Sequence, residues 1–225
     1  MPTFIQEAET SWSTTTSPKV TAPFDVVTDD LLVAVSGTTS NTVAMVASDS
    51  AGSSWTVQDE VNVAGQSRAT IATAALLAGV SGLTVTFTAS GSGQFCGGNA
   101  LTFRDGEPGA FNHDQTIIGI PSVSLTTTRA NSAIVVFIVD ESGRDGSARV
   151  WLTAAGPLTE LTYFTDGNWT IYVGYHADAG AIASRTVGLS APGSQRYSIV
   201  ALEVKDVPIP PPPEQTGIIT LTAAE

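Results

Sequence analysis

Few residues in this chain are chemically reactive. Cys96, its single cysteine, lies in Gly93-Gln94-Phe95-Cys96-Gly97-Gly98. Glycines around a thiol are one setting for a nucleophile, but activation needs a base beside it. Only His113 and His176 could serve, and neither lies in a recognisable catalytic motif. The expectation is a buried, inert thiol and two histidines with structural duties. One cysteine leaves no internal disulfide, and two histidines with one cysteine do not fill a zinc site built from those residues alone. Asp29-Asp30 and Asp59-Glu60 could share a calcium ion if folded together, although no twelve-residue EF-hand loop is present. A carboxylate-dependent glycan hydrolase needs two acids at a fixed separation, and nothing in the sequence marks such a pair. No phosphate-binding glycine loop, His-Glu-x-x-His or Gly-x-Ser-x-Gly occurs. The reading is a protein that is not an enzyme, with no catalytic residue, cofactor or metal, and with hydrolysis as the alternative.

Composition narrows the partners. Nine basic residues against 21 acidic ones give a net charge of −12. That balance argues against nucleic acid, whose binding rests on a basic footprint, and against anionic membrane surfaces. The start of the chain has no basic segment leading into an apolar one, so no secretory signal is expected. No apolar run is long enough for a transmembrane helix. Thr and Ser number 30 and 22, and Gly 21, a composition of strands joined by turns.

The periodicity agrees. Leu31–Gly37 and Ala133–Val139 are short apolar runs that read as strands buried on both faces. In Leu83–Thr88, Leu83, Val85 and Phe87 alternate with threonines. Arg68–Leu77 is rich in alanine, but its β-branched residues and missing caps favour a strand. Asp49-Ser50-Ala51-Gly52-Ser53-Ser54 reads as a turn, and residues 105–122 as a loop apart from Thr116–Ile120. Trp55 and Trp169 are expected to pack in the core. Tyr163, Tyr172, Tyr175 and Tyr197 are the candidates for an exposed patch able to stack on a glycan. The fold expected is all-β: a single jelly-roll-like antiparallel β-sandwich over residues 1–206.

Two stretches read alike. An apolar strand at Asp30–Val35, then Trp55-Thr56-Val57, then Ala100-Leu101-Thr102-Phe103-Arg104-Asp105, is echoed by Ser132–Phe137, Trp169-Thr170-Ile171 and Ala201-Leu202-Glu203-Val204-Lys205-Asp206. The order implies a degenerate internal duplication; the alternative is that similar inner strands need similar residues. Residues 207–217 form a Pro-rich linker that includes Pro210, Pro211, Pro212 and Pro213. It favours a stiff polyproline conformation. Residues 218–225 follow as a short β-prone arm, with Ile218, Ile219 and Leu221 as its apolar residues. Such an arm is expected to add a strand to a neighbouring sheet edge, unless it is a frayed terminus.

Asp30-Leu31-Leu32-Val33-Ala34-Val35, Ser48-Asp49-Ser50-Ala51-Gly52-Ser53-Ser54-Trp55-Thr56 and Ala201-Leu202-Glu203-Val204 together resemble a family of β-sandwich domains. These domains occur in tailed bacteriophages, especially those of actinobacteria, and in some bacterial surface proteins. The resemblance covers roughly residues 3–206 and rests on scaffold positions, so it carries over no catalytic residue. It implies a virion structural protein assembled in the host cytoplasm, either a capsid decoration protein or a minor tail protein. The implied partners are phage capsid or tail proteins, in a homo-oligomer or a lattice. A carbohydrate-binding adhesive module, with a glycan as ligand, is the alternative.

Overall fold

The computed structural model describes residues 1–13, 17–40, 42–63, 67–91, 95–141 and 146–207. Pro210, Pro211, Pro212, Pro213, Ile218, Ile219 and Leu221 lie outside the described residues. The described chain is all-β, with antiparallel pairing throughout. Its first ten strands are β1 (Thr3–Glu9), β2 (Lys19–Val20), β3 (Phe24–Val26), β4 (Leu31–Thr38), β5 (Met45–Asp49), β6 (Thr56–Asn62), β7 (Arg68–Ala75), β8 (Val80–Leu83), β9 (Val85–Ala89) and β10 (Cys96–Arg104). Eight follow: β11 (Gly106–Gly119), β12 (Ser122–Thr126), β13 (Ala133–Asp140), β14 (Val150–Trp151), β15 (Leu158–Thr165), β16 (Thr170–His176), β17 (Ser184–Ala191) and β18 (Gln195–Asp206).

Two five-stranded sheets carry the fold, ordered β1-β10-β4-β7-β6 and β11-β18-β13-β16-β15. Each has a three-stranded companion, β2-β9-β5 for the first and β12-β17-β14 for the second; β3 and β8 form a further pair in the first half. In each half the first strand pairs with the last, and the chain crosses repeatedly between large and small sheets. This is jelly-roll-like connectivity. Apart from the β3–β8 pair, the strand order of the second half repeats that of the first, position for position.

Three apolar clusters stack these layers. Leu31, Val33, Val35, Ile71, Leu101 and Phe103 of the first large sheet meet Val135, Phe137, Val139, Val173, Val200 and Leu202 of the second. On the opposite face of the first large sheet, Leu32, Ala34 and Ala100 pack on Phe24, Met45, Leu83, Val85 and Phe87. On the opposite face of the second, Ile134, Val136, Ile138 and Ile199 pack on Val123, Leu125, Val187 and Leu189. Strands β4 and β13 therefore have apolar neighbours on both sides and are buried at every residue. That is why both read as unbroken apolar runs.

Two details depart from the sequence reading. Trp55 precedes β6, whereas Trp169 precedes β16, which is the topological counterpart of β7. The Trp-Thr echo is therefore out of register, although the strands on either side of it correspond. Residues 106–115, expected to be a loop, join Thr116–Gly119 in the 14-residue strand β11. Its backbone is held by pairing with β18 from Gly106↔Asp206 to Gly119↔Gln195, not by any local pattern.

The halves meet in a pseudo-twofold way. β6 and β15 carry a bulge at the same place, before Asp59 in one and before Thr162 in the other. Asp59 reaches His113 of β11 across the seam, at 2.9 Å from Oδ1 to Nδ1. Thr162 makes the corresponding contact with β1, its hydroxyl donating to Glu9 at 3.1 Å and to Glu7 at 3.0 Å. Asn99, fully buried, donates from Nδ2 to Thr162 at 2.8 Å. Ser67 and Ser198 join the halves by a further hydroxyl contact of 3.0 Å.

Glu141 lies beside this last pair, with both carboxyl oxygens closed off from water. Burial raises its pKa to about 7, against the smaller opposing effects of the Ser67 hydroxyl and the Arg196 charge. A carboxyl whose pKa is raised on folding destabilises the native state once pH exceeds the unfolded value, and the penalty is complete above the folded value. Stability of the wild type should therefore fall between about pH 4.5 and 7. Glu141→Gln should gain about 1–2 kcal/mol at pH 8, a figure discounted for partial solvent screening, and little at pH 4. Urea melts at the two pH values read this directly; equal gains at both would contradict it.

Candidate interaction surface

The reactive residues are held apart. Cys96 opens β10 and is buried between the first large sheet and its companion. Burial pushes its thiol pKa up, only partly opposed by the Lys19 charge. The glycines after it serve packing: a Cβ at Gly97 would lie 2.5 Å from the Trp12 ring, and one at Gly98 2.6 Å from the Phe87 ring. These positions are glycine because one indole face and one phenyl face lie directly on the backbone. His176 is fully buried at the end of β16, its Nδ1 3.0 Å from the Gly156 carbonyl, and burial pushes its pKa down. His113 is at the seam with Asp59. The thiol and the two imidazoles therefore occupy three separate places.

The carboxylate pairs are likewise committed to local work. Asp30, 1% exposed, accepts from the Val27 N–H at 2.9 Å and from Arg104 Nε at 3.2 Å. Glu60 pairs with Arg68 at 3.0 Å, while its neighbour Asp59 turns to His113. Among the described residues no three His, Cys, Asp or Glu side chains converge as a metal site would require. Asp49 organises the turn that carried the resemblance: its carboxylate accepts from the N–H groups of Ala51 and Ser53, and from Trp55 Nε1 at 2.9 Å.

The tyrosines expected at the surface are mostly drawn inward. Tyr172 is fully buried, and Tyr197 is buried with its hydroxyl donating to Asp114 at 2.7 Å. Tyr175 stacks on Phe4 with centroids 4.5 Å apart, and Tyr163 lies beneath the Arg149 guanidinium at 3.7 Å. Layers on both faces of the second large sheet give these rings apolar partners, which the alternation in the sequence does not reveal.

What lies exposed is the outer part of β11. It is the edge of its sheet, with β18 on one side only. Phe111, Ile117 and Ile118 are 50%, 63% and 71% exposed, and Ile120 just beyond is also exposed. Thr116 fixes the projecting end, its hydroxyl accepting from the Ile118 N–H at 3.3 Å. Beside it is a shallow polar depression of about 290 Å³, lined by Asn112, Asp114, Ser122, Ser124 and Thr186. A long edge strand with several large apolar side chains in water is an invitation to pair with another chain.

No family model, curated protein or solved structure matches this chain. The functional reading therefore rests on its own surfaces. In the sequence only the Thr116–Ile120 end of this strand stands out, because Pro108 and Gly109 punctuate the rest and its apolar residues do not alternate. The cluster Ile117, Ile118 and Ile120 between polar residues was the one signal available.

Proposed function

We propose that this protein is a non-enzymatic accessory subunit of a tailed-phage particle, a capsid decoration protein that binds the shell and stabilises it through subunit contacts. The observation that carries this reading is the exposed apolar edge of β11, with Phe111, Ile117 and Ile118. Burying such a row against a lattice of like subunits removes apolar area from water and pairs free backbone groups at once. The resemblance of the Asp30–Val35 and Ser48–Thr56 stretches to phage β-sandwich domains supports it. So does the net charge of −12, which suits a subunit on the outside of a particle, away from packaged DNA. In this reading the arm after residue 207 is a second means of attachment.

Immunogold electron microscopy with an antibody to the folded body should label the heads of intact particles. Label confined to the tail or its tip would replace decoration with the minor-tail or adhesive reading. Purified shells lacking the protein should bind it, and the Ile117→Asp, Ile118→Asp double variant should bind at least tenfold more weakly. Shells that bind neither form would end the proposal.

A further inference from the structure

The two halves differ at one matched place. In the second half, the rim between edge strands β14 and β15 is closed by its own side chains. Arg149 forks onto Glu160, Trp151 Nε1 donates to Glu160 at 2.7 Å, and the guanidinium covers Tyr163. In the first half the corresponding rim, between edge strands β5 and β6, is open among the described residues. The place of Glu160 is taken by Val57, 57% exposed, and Val46 on β5 is 59% exposed. A cavity of about 250 Å³ runs there among Met45, Val46, Trp55, Val57 and Ala72. At Ser53 it adjoins a second cavity of about 430 Å³, lined by Leu76, Leu77 and Val80, with Leu77 91% exposed.

We propose that this rim is the socket for the projecting Ile117–Ile118 end of β11 from a second copy of the chain, and that the exchange is reciprocal and gives a twofold dimer. Three observations select this occupant. The first is placement. β6 and β11 are edge strands of the two large sheets and meet across the seam at Asp59 and His113. They run in the same direction: Thr56 starts β6 near the end where Ala75 faces Leu31, and a Cβ on Gly106, which starts β11, would lie 3.5 Å from Leu31. Ile117 therefore lies four residues beyond the Asp59–His113 contact and Trp55 four residues before it, about 13 Å each way. A twofold axis through that contact, normal to the edge, exchanges β11 with β6 and one end with the other. It brings each copy's Ile117–Ile118 onto the other's open rim. The second observation is charge. Copies at −12 repel one another, and the cores of interfaces are poor in charge. Residues 115–128 carry no charged side chain, and neither do residues 69–80 or 50–57 of the rim. Asp49, between β5 and the turn, has its carboxylate occupied by Ala51, Ser53 and Trp55. The third is area. Ile117, Ile118 and Ile120 on the ridge and Val46, Val57 and Leu77 on the rim are all exposed. At on the order of 200 Å² for a fully exposed large side chain, they offer roughly 800 Å² of apolar surface per copy, about the share each partner gives to a stable interface. The inference rests on the reading of β11 as a contact edge and names the surface of a like subunit that receives it.

Sedimentation of the full-length chain, with no particles present, tests it, so its failure is distinct from a failure to bind shells. Wild type should form a concentration-dependent dimer; a monomer at high micromolar concentration, or growth past the dimer, would overturn the proposal. The ridge variant Ile117→Asp, Ile118→Asp and the socket variant Val57→Asp, Leu77→Asp should each dimerise at least about tenfold more weakly. An equal mixture of the two retains one intact ridge facing one intact socket, and should pair more tightly than either variant alone. A socket variant that still dimerises like wild type would mean that β11 meets β11, and the socket would fall. Cysteine pairing adds a readout that keeps both surfaces apolar. Ile118→Cys chains mixed with Val57→Cys chains, under mild oxidation, should form the mixed disulfide in excess over either symmetric one, as identified by peptide mass spectrometry. A statistical mixture of the three would contradict the proposal.

Discussion

Glu203→Ala should lower stability by about 3–5 kcal/mol, the largest loss expected from any single polar side chain here. Glu203 is fully buried in β18, and its carboxylate holds together three pieces of backbone. It accepts from the N–H of Ala110 at 2.9 Å, of Thr128 at 2.8 Å and of Arg129 at 3.0 Å. The hydroxyls of Thr128 and Ser132 add two more bonds, each 2.7 Å. Alanine would take away the one acceptor these donors share and leave a gap at a fully buried position, and an unsatisfied buried donor costs roughly 1–3 kcal/mol. For a chain of this size the loss corresponds to a fall in Tm of roughly 10 °C. Burial alone would raise the pKa, but the hydrogen bonds from Ala110, Thr128, Ser132 and Arg129 outweigh it and hold the carboxyl below its usual value of 4.5. A depressed carboxylate stabilises the fold fully above the unfolded pKa and loses that contribution as pH falls through the folded one. Glu203→Gln, nearly the same shape, should lie between wild type and alanine at pH 7 and should narrow its deficit as pH falls below 4.5 and through the lowered folded value. Thermal melts from pH 7 to pH 3 would show this; a constant deficit for the glutamine variant would place the cause in packing.

Gly188→Ala should leave little folded protein. Gly188 has a φ of +111°, outside the range that a side chain adopts without strain. A Cβ there would enter the van der Waals radius of the Pro121 carbonyl oxygen and lie 2.9 Å from Ser122 Cα. Neither backbone can withdraw. Leu189 N–H donates to that same Pro121 oxygen at 2.7 Å, and Leu152 N–H holds the Gly188 carbonyl at 2.8 Å from the other side. Positive-φ strain contributes roughly 1–3 kcal/mol, and the backbone clash adds to it. Gly167→Ala separates the two effects: its φ is +89°, but nothing lies within 4 Å of the added carbon. Gly167→Ala should cost about 1–2 kcal/mol and stay soluble. Equal melting temperatures for the two variants would mean that the Pro121 contact relaxes and strain alone matters.

The sequence makes plain what local chemistry decides and conceals what long-range pairing decides. Leu31–Gly37, Ala133–Val139 and the alternation of Leu83, Val85 and Phe87 announce strands because burial fixes their residue types one by one. The repeated strand order is legible in its closing strands for the same reason. It slips at Trp55 and Trp169 because a tryptophan beside a turn marks a turn and not a topological position. Strand β11 was not legible: its stability comes from β18, about 90 residues away in sequence. Since the candidate interaction surface lies on β11, it was hidden along with the strand. Glu203 was visible only as one letter of the echoed motif, at the position where the first half has Thr102. Its five donors come from segments that converge only in three dimensions.

The pseudo-twofold seam has a consequence for stoichiometry. A true dimer of identical sandwiches would show any docking edge twice, on opposite sides, and a substitution would alter both. Here the two sandwiches belong to one chain, and evolution can edit each separately. β1 has seven residues where its counterpart β11 has fourteen, so the projecting Ile117–Ile118 end occurs once per molecule. A body with near-symmetric shape thereby acquires a front and a back. A partner that took this edge would bind once per molecule and in one orientation, and copies joined without reciprocity through that edge and a different surface would form a polar, head-to-tail row.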